Sequence, residues 1–381
     1  RGEVKDLGLI TINESKAKDF ILKNQGLIDA VAKSVSGLVR DANGNLDVYS
    51  ADNLEKILSY KGHLGISNQD NLTSIDELQY YRNVTGITLD KNKNLAGKLD
   101  FSKYPQLVGS IIVQNSPLVT SIDVTGLDKI TAFSATNMKN MIDVTIKGNS
   151  KLQTVSLHHN ESLQAVDVRD LPELRLVETY YSKSVTTIKT AGSPKLTSIN
   201  ATSSGSLSSI PGLNENTQLV DFVAPYTPLE SLDFSNQPNL RSVNLLSAKV
   251  KELKGLAASG TNLKNLQLSN TQLSSLDVSN NTELLELELY NSKITKLDVT
   301  ANKKLKRLRI PFNPLEELVL GDNTALEYLD ISHDRLSTLD ITKLTALKKV
   351  YAGRQTQKAN PGILQSMTVY YTAAQQTVLD P

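Results

Sequence analysis

The sequence predicts a β-rich solenoid in which each coil of 21–24 residues carries two short parallel strands. Between residues 276 and 350, one set of apolar residues recurs every 21 residues, and a second set follows half a period later. The two sets are Leu276, Leu297, Leu318, Leu339 and Leu287, Leu308, Leu329, Val350. A fixed period of this length indicates stacked repeats. Each anchor begins an apolar-x-apolar unit, which is the periodicity of a strand.

The same two series extend through most of the chain. The first runs through Leu64, Ile87, Ile111, Phe133, Val155, Val177, Ile199, Phe222, Val243, Leu266, Leu287, Leu308, Leu329 and Val350. The second runs through Leu99, Ile122, Val144, Val166, Ile188, Ile210, Leu232, Leu253, Leu276, Leu297, Leu318 and Leu339. Because the series interleave 10–12 residues apart, we expect their strands on opposite sides of the coils, here named the first face and the second face.

The two ends of the chain do not repeat. Terminal coils need caps, so the sequence divides into an N-terminal helical cap (1–63), a solenoid (64–353) and a C-terminal cap (354–381). Apolar spacings of three and four predict helices at Ser15–Lys23 and Leu27–Val35, separated by Gly26. A third helix is predicted at Ala51–Tyr60, capped by Ser50.

Three other segments depart from the repeat pattern. Residues 75–81 look helical, and residues 367–372 look like a strand of the C-terminal cap that pairs with the last coil and blunts its edge. The segment Gly205–Glu215 places Pro211 directly after an anchor. Because proline cannot donate to a strand ladder, a bulge or bend is expected there.

Two octapeptides carry the clearest motif. Residues 263–270 read LKNLQLSN and residues 284–291 read LLELELYN. The pattern L-x-x-L-x-L-x-x-N resembles the leucine-rich repeat family, and most closely its short type of about 21 residues in secreted and surface proteins of bacteria. The resemblance covers about three quarters of the chain. It implies a solenoid and, as an expectation, protein binding in adhesion or host interaction, although this scaffold serves many functions.

Composition excludes several classes of function. The net charge of +1 gives no indication of a nucleic-acid partner. The chain has no cysteine and so cannot close its ends with disulfides, as many animal extracellular relatives do, which favours a bacterial origin. No apolar run approaches the roughly 18 residues of a membrane-spanning helix. Because the chain starts at Arg1, an exported protein with a removed leader, lipid-anchored or secreted, is expected.

One loop in the N-terminal cap resembles a calcium-binding loop. Oxygen-bearing side chains alternate along it and an acid stands at its twelfth position: Asp41, Asn43, Asn45, Asp47 and Asp52. Calcium prefers such oxygen ligands. Leu46 stands where the tight turn needs glycine, and Asp52 replaces the longer glutamate. The alternative is a turn stabilised by its own Asp and Asn side chains.

The second face repeats small hydroxyl and acidic residues at fixed positions. Examples are Ser275-Asp277-Ser279, Lys296-Asp298-Thr300 and Thr338-Asp340-Thr342. We interpret them as structural, since such side chains hydrogen-bond to nearby backbone groups. The alternative is an acidic stripe that collects cations.

The first face varies from coil to coil, so its outward residues are the candidate ligand-binding set. They are His158, Glu178, Tyr180, Tyr290, Arg307, Arg309, Tyr328, Asp330, Lys349 and Tyr351. The last six of these are expected to cluster over three adjoining coils, and Tyr and Arg are frequent anchors of interfaces. The alternative is a solvated ladder in which Glu286 and Glu288 pair with Arg307 and Arg309.

The sequence does not predict an enzyme. The chain has four histidines, and the one cluster, His158-His159, diverges along a strand, with Glu178 and Tyr180 one coil away. No cofactor is expected besides calcium. We therefore predict an exported bacterial protein that binds a protein partner. The alternatives are a carbohydrate-binding protein, which would stack sugars on Tyr180, Tyr290, Tyr328 and Tyr351, and a structural spacer; the aromatic content of 5% counts against sugars.

Overall fold

The computed structural model describes residues 21–380, which divide into two compact units between Gln164 and Ala165. Each unit is a stack of parallel β-solenoid coils. The predicted helix Ser15–Lys23 lies mostly outside the described residues, and Leu22 and Lys23 are not helical.

Two short helices form the described part of the N-terminal cap. Helix α1 spans Gln25–Ala32 and helix α2 spans Ala51–Leu58, so both predicted helices are present but shorter. Ser50 caps α2 as predicted, accepting a hydrogen bond from the Asn53 backbone N–H. Gly26 was expected between helices, yet it lies inside α1. The helix packs so closely there that a Cβ on Gly26 would lie 2.2 Å from the Asn71 carbonyl oxygen.

The described residues of the first unit contribute eight strands. They are β1 (Gly62–Ser67), β2 (Val84–Asp90), β3 (Ala96–Asp100), β4 (Gly109–Gln114), β5 (Leu118–Asp123), β6 (Ile130–Thr136), β7 (Asp143–Thr145) and β8 (Thr154–Ser156). The first face pairs them in the order β1-β2-β4-β6-β8, and the second face in the order β3-β5-β7. The predicted helical segment at 75–81 is a 3-10 helix, Asp76–Tyr80.

The second unit contributes eighteen strands. They are β9 (Ala165–Asp167), β10 (Leu176–Glu178), β11 (Thr187–Lys189), β12 (Ser198–Asn200), β13 (Asp221–Val223), β14 (Ser231–Asp233), β15 (Ser242–Asn244), β16 (Glu252–Lys254), β17 (Asn265–Gln267), β18 (Glu286–Glu288), β19 (Lys296–Asp298), β20 (Arg307–Arg309), β21 (Glu317–Val319), β22 (Tyr328–Asp330), β23 (Thr338–Asp340), β24 (Lys349–Tyr351), β25 (Thr368–Tyr370) and β26 (Leu379–Asp380). The first face runs β10-β12-β13-β15-β17-β18-β20-β22-β24-β26.

The first series of anchors is confirmed throughout. All fourteen residues lie in first-face strands, and none is more than 1% exposed. Burying one such side chain contributes about 1.5–3 kcal/mol, so this row forms the main apolar core of the coils.

The second series is less regular than predicted, because its strands in the second unit form isolated pairs: β9–β11, β14–β16, β19–β21 and β23–β25. Ile210 has a single bridge beside it, Thr187 with Ser209, as expected beside Pro211. The missing strand at Leu276 was not expected, and Leu276 is half-buried. We attribute the gap to the 3-10 helix Leu256–Asn262, which takes up extra residues in the preceding coil.

Each coil turns after its first-face strand at one residue in the left-handed region. In the second unit we name these residues the turn ridge: Tyr181, Ser203, Tyr226, Ser247, Asn270, Asn291, Phe312, His333 and Arg354, with φ between +50° and +60°. Asparagine tolerates this conformation, whereas a bulky side chain in it is an outlier. The tyrosine and phenylalanine members of the ridge therefore add strain that the fold itself does not require.

The C-terminal cap pairs with the last coil on both faces. Strand β25 lies beside β23, and β26 lies beside β24. Between them, Thr372 and Gln375 form a capping box at the start of the 3-10 helix Ala373–Val378. The pairing agrees with the sequence. The cap strands also cover the edge of the last coil, as predicted, while Tyr370 and Tyr371 of the cap itself remain exposed.

Candidate functional site

The first face of the second unit brings most of the candidate residues together. Strand register aligns one row of neighbouring residues across four strands: Glu286, Arg307, Tyr328 and Lys349. The parallel row is Glu288, Arg309, Asp330 and Tyr351. We name the set Tyr290, Arg307, Arg309, Tyr328, Asp330, Lys349 and Tyr351 the arginine–tyrosine patch. The clustering agrees with the sequence, while its role in binding stays a prediction.

Glu288 holds both arginines of the patch. Arg307 Nε donates to Glu288 Oε1 at 2.6 Å, and Arg309 Nη1 donates to Oε2 at 3.3 Å. The Glu288 side chain is only 12% exposed, so this pair of bonds is less screened by water than an ordinary surface pair. The predicted ladder thus forms only in part, because Glu288 holds both guanidinium groups where Glu286 and Glu288 were expected to hold one each.

Aromatic rings cover the other sides of the two guanidinium groups. Arg307 Cζ lies 4.3 Å from the Tyr328 ring centre, and Arg309 Cζ lies 5.9 Å from that of Tyr290. Tyr328 in turn lies 5.6 Å from Tyr351. Burial raises the pKa of the Tyr328 hydroxyl, with Asp330 adding to the effect. The patch is therefore a fixed array of planar groups, which loses little side-chain freedom when a partner binds.

Asp330 fixes the far side of the patch. Its Oδ1 accepts hydrogen bonds from the backbone N–H and the hydroxyl of Ser332, at 3.0 and 2.7 Å. Its Oδ2 lies 3.9 Å from Arg309 Nε. Lys349 Nζ lies 3.4 Å from the Asp380 carboxylate, which joins the C-terminal cap to the patch.

Two aromatic residues beside the patch were missed from the sequence. Phe312 and His333 belong to the turn ridge, and their rings stack at 4.0 Å with planes 10° apart. Tyr290 packs edge-on against Phe312 at 5.4 Å. Phe312 is 45% exposed and Tyr290 38%. The sequence did contain an indication of these two residues. Phe312 and His333 follow Asn291 by 21 and 42 residues, so they stand at the turn position that Asn291 occupies in its own coil.

The three remaining candidate ligand residues are not part of this patch. In the first unit, His158 follows β8, and its Nδ1 lies 2.8 Å from Nδ1 of His159. The two rings therefore meet and do not diverge as the sequence predicted, because they lie on a turn in which His159 has φ +59° and not on a strand. In the second unit, Glu178 ends β10, and Tyr180 packs edge-on against Tyr181 at 6.1 Å. Their role in binding remains a prediction.

The calcium-loop candidate forms a tight turn. Asp41 Oδ1 accepts hydrogen bonds from the backbone N–H groups of Asn43 and Asn45, both at 2.9 Å. Asp47 Oδ1 accepts one from the Tyr49 N–H, and Asp52 lies in the first turn of α2. Among residues 21–380, no three His, Asp or Glu side chains lie close enough together to hold a metal ion. These bonds are those of the alternative turn interpretation.

Calcium binding at this loop remains a prediction with a direct test. Millimolar calcium should raise the melting temperature and EDTA should lower it, because a bound ion stabilises only the folded state. Asp41→Ala should abolish the shift, and Asp322→Ala, an exposed acid elsewhere, should leave it unchanged. An unchanged melting temperature at about 5 mM calcium, which exceeds the dissociation constants of such loops, would rule the site out.

The aspartates of the second face accept hydrogen bonds from the backbone of their own turns. Asp277, Asp298 and Asp340 each accept a hydrogen bond at 2.9 Å from the backbone N–H two residues later. The bonds from Ser279 lower the pKa of the Asp277 carboxyl. The structural interpretation of this face is supported, because the same oxygen of each acid shapes its turn.

Comparisons with known proteins bear on the fold. No family model matches the chain, and no curated protein matches it. Among solved structures, an internalin (inlF) from Listeria monocytogenes aligns over 90% of this chain and 98% of its own, with 15% identity and a TM-score of 0.51. The leucine-rich repeat domain of APL1B covers 73% of this chain and 77% of its own, with 19% identity and a TM-score of 0.50. The functional domain of InlJ from Listeria monocytogenes gives 20% identity, coverages of 77% and 73%, and a TM-score of 0.49.

Across residues 21–380, no helix is long and apolar enough to cross a membrane. The periodic anchors, the parallel strands of both faces and these structural neighbours agree on one architecture. The protein has the fold of a leucine-rich repeat solenoid.

Proposed function

We propose that this protein is a non-enzymatic binding protein that recognises a protein partner through the arginine–tyrosine patch together with Phe312 and His333. The observation that carries the proposal is the order of the patch: two arginines are held between Glu288 and two tyrosines while the rings stay partly exposed. Fixed Tyr and Arg side chains are the residues that most often dominate protein interfaces.

The alternative of carbohydrate binding is less well supported by the geometry. Sugars stack on open ring faces, yet Arg307 covers one face of Tyr328 and His333 covers one face of Phe312. A structural spacer would not need bulky residues at strained turns such as Phe312. The fold of this chain resembles that of an internalin. The proposal therefore includes secretion by a bacterium or display on its surface, with a role in adhesion.

A binding array carrying both extracellular host proteins and glycans tests this function. The intact chain should bind a protein spot, and the Arg309→Ser/Tyr328→Ser double variant should bind it at least about tenfold more weakly. The matched control is Arg241→Ser/Tyr226→Ser, which changes the same residue types away from the patch. A glycan signal that the patch variant loses would replace the protein partner with a carbohydrate, and equal binding by both variants would refute the patch.

A further inference from the structure

The outer strand of the C-terminal cap lacks the charged residue that ends most other second-face strands. Of the eleven second-face strands between residues 21 and 380, six end in Asp and two in Lys. Strand β25 instead ends in Tyr370, which lies beside Asp340 of β23. Residues 359–379 contain no charged side chain at all. Natural sheets place charges on their edges to prevent pairing with other chains, so this edge is open to pairing.

The apolar residues of this end are poorly covered. Tyr370 is 55% exposed, and Ile363, Leu364 and Tyr371 are also exposed. Met367 and Val369 are half-buried, and with Leu379 they line a cavity of about 360 Å³ that opens at the end of the stack. A terminal coil normally presents a polar outer side, because its apolar interior would otherwise meet water.

The backbone of β25 leaves one residue with both polar groups pointing outward. Thr368 N–H donates to the Ser337 carbonyl, and the Tyr370 carbonyl accepts from Ile341 N–H, so both residues face β23. Neighbouring residues of a strand alternate in direction, which turns the N–H and carbonyl of Val369 to the free edge. Two copies related by a two-fold axis can exchange both hydrogen bonds between their Val369 residues as an antiparallel pair.

We propose that a second copy of this chain covers this end, with the two β25 strands pairing antiparallel about Val369 to form a symmetric dimer. Residues 359–379 carry no charge that would repel the same segment of a second copy, and a two-fold interface requires one patch that is complementary to itself. Pairing joins β23 and β25 of each copy into one four-stranded sheet and brings Tyr370 and Leu364 out of water. The arginine–tyrosine patch lies on the first face and stays accessible for its own partner.

Sedimentation and light scattering of the intact chain, from about 1 to 300 µM, test this dimer. A monomer–dimer equilibrium is expected. Tyr370→Asp, which restores the acid found in six other strands, should raise the dimer Kd at least about tenfold. The change removes an apolar ring from the interface and places two acids in diagonal positions on the paired strands. Val369→Pro should do the same by removing the outward N–H while leaving the bonds to β23.

The control is Tyr226→Asp, a change at a residue with 54% exposure, close to the 55% of Tyr370, but on the turn ridge. It should dimerise like the unaltered chain, and melting curves should confirm that each variant is folded. A chain that stays monomeric at 300 µM overturns the proposal. A dimer that survives both edge variants also overturns it, because the copies would then meet elsewhere.

Discussion

Replacing Asp334 by Asn should stabilise the protein by roughly 3 kcal/mol at pH 7, a large gain for one substitution. Asp334 is fully buried beside the turn ridge, at a position where other coils of this face bury Asn313 and Gln355. The Nδ2 of Asn313 donates to the carbonyls of Leu289 and Ile310, at 2.7 and 3.1 Å. Asp334 can only accept when it is ionised.

The contacts of Asp334 show what the substitution corrects. Its Oδ1 accepts from the Asn313 backbone N–H at 2.8 Å, but its Oδ2 has no hydrogen-bond partner among the described residues. By the 21-residue register, that atom occupies the place of the Asn313 amide nitrogen, which faces carbonyl groups. An amide at residue 334 would therefore donate to those carbonyl groups without the bound proton that the Asp334 carboxyl needs in order to donate there.

The pH dependence of stability gives the sharpest readout. Burial raises the pKa of the Asp334 carboxyl to about 9, and the nearby Asp330 adds to the rise while the Asn313 N–H opposes it. Between pH 4 and pH 9 the folded state then keeps a proton that the unfolded chain has lost. Stability should fall by up to about 1.4 kcal/mol per pH unit across this window, and the fall should end near pH 9.

Denaturant unfolding at pH 5, 7 and 9 measures this effect. The gain from Asp334→Asn should be small at pH 5 and grow toward pH 9, because Asn removes the titrating group. Asp322→Asn deletes the same charge at an exposed residue and should leave the slope unchanged. A gain that is equal at pH 5 and pH 9 would show that Asp334 is charged in the folded state throughout.

The periodic part of the fold could be predicted from the sequence because its cause is periodic. A buried apolar residue every 21–24 residues forces a strand at each first-face anchor, and all fourteen anchors were placed correctly. The second face followed less well. Leu276 carries the same local pattern as Leu297, yet it lacks a strand because the preceding coil inserts a 3-10 helix. Whether a strand forms at Leu276 thus depends on the conformation of the preceding coil, and the residues around Leu276 carry no information about that coil.

The candidate site was predictable in the same partial way. Register alone brought Arg309, Tyr328 and Tyr351 together, since residues one period apart become neighbours. Phe312 and His333 were missed because they lie at turn positions, where no strand periodicity marks an outward side chain. The sharing of Glu288 by two arginines is a matter of side-chain conformation, which the sequence does not specify.

Phe312→Asn should weaken binding of the partner strongly while changing the stability of the fold little. The left-handed backbone at Phe312, with φ +60°, suits Asn, the residue at the same position in the two preceding coils, Asn270 and Asn291. Relief of that strain, about 1 kcal/mol, offsets the loss of ring contacts with His333 and Tyr290, each about 0.5–1.5 kcal/mol. Stability should therefore change by no more than about 1–2 kcal/mol.

Binding of the protein partner should fall about 30-fold or more in the same variant, since a central exposed aromatic anchor contributes about 2 kcal/mol or more. Tyr226→Asn makes the matching change at a turn-ridge residue away from the patch and should bind normally. Titration of the array hit with both variants gives the two affinities, and melting curves give the stabilities. If Phe312→Asn binds as well as the unaltered chain, the strain at this turn has no role in recognition. If Phe312 had only a structural role, a variant that stays folded would also keep its binding. Weaker binding by a folded Phe312→Asn variant would therefore show that Phe312 contacts the partner.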